Sequence, residues 1–189
     1  MKENDYWKVC AALDCERRLS LVGFLLSAET TEFPSVCELA ERFKVSEPSM
    51  SVHLKTLATA GLVTSKRAER RVFYRAFPTT EAGARTLLAL RDFFLQRPDA
   101  QRVRRLLDYV HALSHHRRNA IVRCLSAEPG LSVKELSHRT EMPPQTADRL
   151  WGQLGKARIV DLRGTVVPPV RQPEAVFLEL TIGKPVSHL

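Results

Sequence analysis

Apolar residues recur at three-and-four spacing from about Asp5 to Ala28, and again from about Asp99 to Ala127, which predicts two long amphipathic helices. Pro34 and Gly130 punctuate their exits. Ser35-x-x-Glu38 and Ser132-x-x-Glu135 are capping boxes: the hydroxyl accepts from the backbone three residues on, and the glutamate reaches back. Each starts a short helix, Val36–Phe43 and Val133–Thr140. Tight turns follow, Lys44-Val45-Ser46 and Glu141-Met142-Pro143, leading into second helices at about Glu47–Ala60 and Pro144–Ala157. In the earlier of these, Met50, Leu54, Leu57 and Ala58 form the apolar face, leaving Ser49, Val52, His53, Lys55 and Thr56 around the rest. The period then changes: Leu62–Lys66 and Arg71–Phe77 read as strands joined by the turn Arg67-Ala68-Glu69-Arg70. A further apolar helix is expected over Glu81–Leu95. Two short helices across a tight turn, followed by a basic hairpin, make a winged helix-turn-helix. Such units dock the second helix in the major groove and lay the wing along the backbone or minor groove.

The chain repeats this grammar. Ala12-Leu13, Arg17-Arg18, Leu21-Val22 and Ser27-Ala28-Glu29 return as Ala112-Leu113, Arg117-Arg118, Ile121-Val122 and Ser126-Ala127-Glu128. Ser35-Val36-x-Glu38-Leu39-x-x-Arg42 returns 97 residues later as Ser132-Val133-x-Glu135-Leu136-x-x-Arg139, and the same offset carries Leu62-Val63 to Ile159-Val160. Seven extra residues precede Val176-Phe177, read as the answer to the strand residues Val72-Phe73. These offsets imply one domain written twice, residues 1–95 and 96–189. The expected fold class is mainly α with small β-hairpin wings, in two tandem winged helix-turn-helix domains.

Composition narrows the partner. With 44% hydrophobic and 26% charged residues, the chain is of ordinary globular type, neither disordered nor collagenous nor a coiled-coil rod. No run of 18 apolar residues occurs, so no membrane span is expected; the charged start Met1-Lys2-Glu3-Asn4-Asp5 resembles no export signal. Four cysteines without a C-x-x-C pair imply free thiols in a reducing cytoplasm. The net charge of +8 favours an acidic partner, nucleic acid above all. It divides as 14 Lys/Arg against 12 Asp/Glu in residues 1–95, net +2, and 15 against 9 in residues 96–189, net +6. In the first half the basic residues gather in the wing, at Lys66, Arg67, Arg70, Arg71 and Arg75, where phosphate contact is expected. In the second, Arg97, Arg102, Arg104 and Arg105 stand near the start of the long helix.

The stretch Val45-Ser46-Glu47-Pro48-Ser49-Met50-Ser51-Val52-His53-Leu54-Lys55-Thr56-Leu57-Ala58-Thr59-Ala60-Gly61-Leu62-Val63 resembles the recognition helix of ArsR-type (arsenical-resistance-repressor-like) bacterial regulators. Arg70-Arg71-Val72-Phe73-Tyr74-Arg75 is similar to the ending of that family's wing. The resemblance covers about residues 13–95, and the second copy in outline. It implies base-facing positions at Glu47, Ser49, Ser51, Val52 and His53, with Lys55 at the phosphate edge, and a protein that is usually dimeric and represses transcription. Glu47 departs from the family's common Gln, since a carboxylate accepts from cytosine but repels phosphate, and the wing turn lacks the family's Gly. The family's metal site does not carry over, because its Cys-x-Cys pair falls on Ser35 and Cys37. His111, His115 and Asp108 have helical spacing for an ion but are read as a hydrated face. No metal or cofactor is expected.

At the second recognition helix, Ser51, His53, Leu54 and Lys55 become Asp148, Leu150, Trp151 and Gly152. Leu150 is read as an apolar residue at a solvent-facing position, while Arg149 and Gln153 keep the capacity to touch DNA. Pro168, Pro169 and Pro173 interrupt the would-be wing Arg163–Glu174. The favoured reading is a second domain used for packing and symmetry; the opposing one is two DNA-binding heads. The helix Glu81–Leu95 should pack on Tyr6, Trp7 and Val9 or on Leu106, Leu107 and Val110. That pairing would join two chains, presenting first-copy helices about 34–36 Å apart on double-stranded DNA, or would close within one chain as a pseudo-dimer; the homodimer is favoured. The expected function is a non-enzymatic DNA-binding transcriptional regulator. The alternative is a tandem winged-helix protein-interaction scaffold. No Gly-rich phosphate loop, nucleophile elbow or His-Glu-x-x-His supports catalysis.

Overall fold

A computed structural model of the 189-residue chain describes residues 6–27, 33–69, 71–167 and 173–182. In chain order its elements are α1 (Tyr6–Leu13), α2 (Glu16–Leu26), α3 (Val36–Arg42), α4 (Glu47–Thr59), β1 (Val63–Ala68), β2 (Arg71–Ala76), α5 (Glu81–Leu95), α6 (Ala100–Leu113), α7 (His116–Ala127), α8 (Val133–Arg139), α9 (Pro144–Lys156) and α10 (Glu174–Ile182).

Both long helices expected at the head of each half are broken. Cys15 takes an extended conformation (φ −166°, ψ 123°) between α1 and α2, and His115 does the same (φ −133°, ψ 130°) between α6 and α7. The carbonyls that a helix end leaves without a partner are taken up by a side chain from beyond the corner. Arg18 donates to the carbonyls of Ala12, Ala11 and Asp14. Arg118 donates to those of Ala112 and His111 and to Ser114 Oγ. The recurrent Arg17-Arg18 and Arg117-Arg118 pairs thus each supply a corner staple. Apolar spacing runs on through the corners, so periodicity alone does not reveal them.

Helices α3 and α4, and likewise α8 and α9, form within a residue or so of their expected bounds. Ser35 and Ser132 each accept from the backbone N–H three residues on, while Glu38 and Glu135 receive the return bond at 2.7 Å. Lys44 and Glu141 occupy the left-handed region at the same place in each turn, both with φ 52°. Ser46 caps α4, and Thr80 and Asp99 cap α5 and α6.

The halves diverge after α4 and α9. β1 and β2 pair antiparallel from Val63↔Ala76 to Ala68↔Arg71, and Glu69, just past β1, has φ 52°. In the second half, among the described residues, the hairpin shrinks to a single bridge, Val160↔Val166. Val176 and Phe177, expected to answer wing strand residues, lie instead in α10 and are buried. An apolar doublet serves a strand or a fully buried helix equally well; here α10 packs on α6 and α7 much as α5 packs on α1 and α2. Of the proline-rich stretch, Pro168 and Pro169 lie outside the described residues.

A single hydrophobic core runs through both halves, from Leu13, Leu39 and Leu54 to Val110, Ile121 and Phe177. It is continuous because α1 packs on α6, and α10 reaches both α1 and α5. Tyr6 lies 6.1 Å from the Phe177 ring, centroid to centroid, and its hydroxyl is 3.2 Å from Thr86 Oγ1 of α5. Polar contacts cross the same seam: Asp14 accepts from His111 Nδ1 at 2.9 Å and from Ser114 Oγ at 2.8 Å. No helix among the described residues is long and apolar enough to cross a membrane.

Candidate nucleic-acid interface

Helix α4 owes its orientation to Met50, Leu54 and Leu57, one buried stripe at helical spacing. That stripe fixes what faces outward. Glu47, Ser49, Ser51, Val52 and Lys55 are all exposed, Val52 to 64%. An exposed valine amid hydroxyls and a lysine offers a major groove one apolar contact for a thymine methyl and several hydrogen-bonding groups. Ser49 is partly occupied, its Oγ lying 2.9 Å from the cap Ser46 Oγ.

His53 stands apart from these. It is half-buried, its Nδ1 is enclosed without a hydrogen-bond partner, and its pKa is lowered by burial and then by the charges of Arg18 and Arg17 on α2. The ring is therefore neutral near pH 7 and belongs to the seam between α4 and α2. Its spacing from Ser49 and Val52 placed it with the outward residues; the burial of its ring nitrogen separates it from them.

The wing is anchored at its root. The Tyr74 N–H donates to the Pro34 carbonyl at 2.9 Å, and Phe73 bridges to Ser35, which ties β2 to the start of α3. Lys66, Arg67 and Arg71 are exposed along the hairpin; Arg70 lies outside the described residues. Arg75, expected in the same cluster, has its guanidinium over the rings of Phe77 (4.3 Å) and Phe33 (4.9 Å). A stacked guanidinium keeps its charge but is held to one place.

Sequence reasoning missed a second basic group. Arg17, Arg42 and Lys44 line a cleft of about 640 Å³ between the start of α2 and the end of α3, with Arg42 stacked on Phe24 at 4.2 Å. The signal was present in Arg17, assigned only to the repeat, and in Lys44, assigned only to the turn.

Cys37 is exposed beside Glu47 and Glu41, and their negative charges raise its pKa, Glu47 most. Two carboxylates disfavour the thiolate that a metal or redox site uses. Among the described residues no three His, Cys, Asp or Glu side chains converge on a common point. His111 pairs with Asp14, and His115 stacks on His116 at 4.5 Å.

On α9 the residues expected to mark erosion lie elsewhere than the sequence implied. Leu150 is 3% exposed, so it is a core residue and not a solvent-facing one. Trp151 lies over Gly164, whose missing Cβ makes room for the indole. Gln153 accepts from Arg118 Nη1 at 3.2 Å, which occupies it within the fold. Only Asp148 and Gly152 of that group are outward.

Residues 15–65 match the sequence model of the family described as bacterial regulatory protein, arsR family. The match runs from the α1–α2 corner into β1 and contains α3, the turn and all of α4. This segment is similar to the DNA-binding helix-turn-helix of ArsR-type regulators, and with the β1–β2 hairpin it has the parts of a winged helix. Neither the curated proteins nor the solved structures contain a match to the chain.

Proposed function

We propose that the chain is a DNA-binding transcriptional regulator, acting as a repressor, without catalytic activity, in the cytoplasm. The observation that carries this reading is the outward face of α4. Ser49, Ser51, Val52 and Lys55 stand exposed over the buried Met50–Leu54–Leu57 stripe, within the segment that matches the arsR family. The wing residues Lys66, Arg67 and Arg71 and the cleft residues Arg17 and Lys44 supply cations for flanking phosphates.

The proposal includes two tandem winged helix-turn-helix units, residues 1–95 and 96–189. What supports the duplication is shared detail that function does not demand: paired capping boxes, paired arginine staples and the same left-handed turn residue. The helices expected to join two chains pack on one another within this one, α5 on α1 and α1 on α6, with α10 also against α5. The pseudo-dimer therefore replaces the homodimer as the preferred assembly. It predicts the mass of a single chain in light scattering, with and without DNA.

Gel shifts with genomic fragments at two salt concentrations test the reading. A regulator retains specific complexes at the higher salt; a protein-interaction scaffold shows no sequence preference. Ser51→Ala with Val52→Ala should lower specific affinity about tenfold and leave non-specific binding nearly intact. Lys66→Ala with Arg71→Ala should weaken all complexes and reduce the salt slope by roughly 2. Equal loss of specific and non-specific binding in the first variant would remove α4 from base reading.

A further inference from the structure

A second unit used only for packing is the expectation that follows from Leu150, Trp151, Gly152 and Asp148 on α9 and from the prolines of the would-be wing. The structure withdraws the first two. Leu150 is buried where His53 is half-buried, and Trp151 packs on Gly164, so neither position belongs to the outward face in either half. Among exposed residues in register, Glu47 becomes Pro144, which loses a hydrogen-bonding side chain, and four other positions change. Pro48 becomes Gln145, Val52 becomes Arg149, Ser51 becomes Asp148 and Lys55 becomes Gly152. Two of these changes are losses and two are gains.

The gains have a specific chemistry. Gln145 and Arg149 are both exposed, stand one turn apart in the N-terminal half of α9, and make no hydrogen bond or ion pair with the described residues. The N-terminal part of a recognition helix is the part that meets base edges. Arg addresses guanine O6 and N7 through two donors, and Gln addresses adenine N6 and N7. Beside this helix the shortened hairpin closes in a hydrogen-bonded turn. Asp161 Oδ1 accepts from the N–H of Arg163 (2.9 Å) and of Thr165 (2.8 Å), and Gly164 has φ 73°. Arg163 is exposed at this turn, where the first half has its basic wing, and Arg158 is exposed at the corner between α9 and the hairpin. The shared core uses α1, α6, α5 and α10, which leaves the outward faces of α4 and α9 clear of the pairing.

We propose that the second helix-turn-helix is a DNA reader with its own preference. Arg149 and Gln145 address base edges, and Arg163 and Arg158 address phosphates, so that one chain recognises a non-palindromic site made of two unlike half-sites. The proposal rests on the regulator reading above and adds to it a second site and the form of the operator.

Selection of binding sites from a random double-stranded DNA pool by the full chain tests it. The expected motif is bipartite and asymmetric, with guanine and adenine in one half. Arg149→Ala with Gln145→Ala should erase the preference in that half alone and weaken the full site about tenfold or more. Arg149→Lys keeps the charge but loses the two-pronged donor, and should lose the guanine while keeping the salt dependence. Circular dichroism and thermal melting confirm that each variant is folded, which these exposed positions should allow. A palindromic motif, or an α9 variant that selects the wild-type motif at unchanged affinity, overturns the second reader while leaving the first standing. Failure of the wild-type chain to enrich any motif overturns both.

Discussion

The helix pairs α3–α4 and α8–α9 keep the same frame and present different surfaces. Buried and capping positions agree closely: Met50 and Ala147, Leu57 and Leu154, Ser35 and Ser132 occupy matching places. Outward positions agree hardly at all, since Ser51, Val52 and Lys55 stand against Asp148, Arg149 and Gly152. A frame is constrained by packing at near-crystalline density, so a changed core residue is felt at once. An outward residue is constrained only by what it touches, and two surfaces that touch different sequences are free to part. The difference also extends inward in a few places, and those places let the comparison be tested.

The largest effect is expected at the arginine staples. Arg118 is buried (9% exposed) and, besides the corner carbonyls, bonds to Gln153 of α9. Arg18 is half-buried and serves the α1–α2 corner alone among the bonds described. Arg118→Ala should cost about 3 kcal/mol and Arg18→Ala about 1–2 kcal/mol, because truncation leaves the buried carbonyls unpaired. Urea denaturation of both variants measures this. Equal costs would mean that the link to α9 contributes nothing.

Next comes the left-handed residue that follows α4 and its counterpart after α9. Gly61 has φ 75°, and a Cβ there would lie 2.8 Å from Thr80 Oγ1. Its carbonyl accepts from Thr79 N–H and sits 2.3 Å from where a Cβ of Gly83 would be, so the corner is pressed against the start of α5. The matching position in the second half is Arg158, exposed and left-handed at φ 57°. Gly61→Ala should therefore destabilise by about 2 kcal/mol, whereas Arg158→Gly should stabilise by about 0.5 kcal/mol, relief of strain outweighing the added freedom of the unfolded chain. Thermal melts that move both variants in the same direction would contradict the difference in packing.

Most of this frame was legible in the sequence, and the reasons it was legible are local. Capping boxes, turn residues and a Met50–Leu54–Leu57 stripe act within a few residues, so they fix α3, α4, α8 and α9 closely. What was illegible depends on contacts between distant segments. The Asp14-Cys15 corner exists because Arg18 folds back on it, and α10 is a helix because Val176 and Phe177 meet α6 and α7 in place of a partner strand. The site shows the same division. Ser51, Val52 and Lys55 stand outward as their register implied, whereas the enclosure of His53 comes from α2 and no spacing rule on α4 contains it.

The capping boxes should bring a smaller effect. Ser35 is buried at the root of the wing, and Ser132 is exposed. Loss of a cap costs about 1 kcal/mol, so Ser35→Ala should fall at or above that figure and Ser132→Ala below it. Glu38 and Glu135 both have lowered pKa values because of their bonds to Ser35 and Ser132. Their contribution is complete above the ordinary carboxylate value of 4.5 and is lost as the pH falls through the lower folded values. In each alanine variant part of that acid sensitivity should vanish, to a similar degree in the two halves.

The smallest effect separates His53 from its neighbours on α4. Burial, and then the charges of Arg18 and Arg17, lower its pKa below the ordinary 6.5. The unfolded chain therefore binds more protons than the folded chain just below pH 6.5, and stability falls as the pH drops through that window. The second half already carries the apolar alternative, since Leu150 occupies the matching position in the core. His53→Leu should leave the melting temperature at pH 7.5 unchanged or slightly raised, and raise it relative to the native chain at pH 5.5. Parallel melting curves across that range would mean that the imidazole titrates freely in solvent. Specific DNA affinity should survive this substitution at pH 7.5 while Ser51→Ala with Val52→Ala loses it, because the ring belongs to the frame that the two units share and Ser51 and Val52 belong to the surface in which they differ.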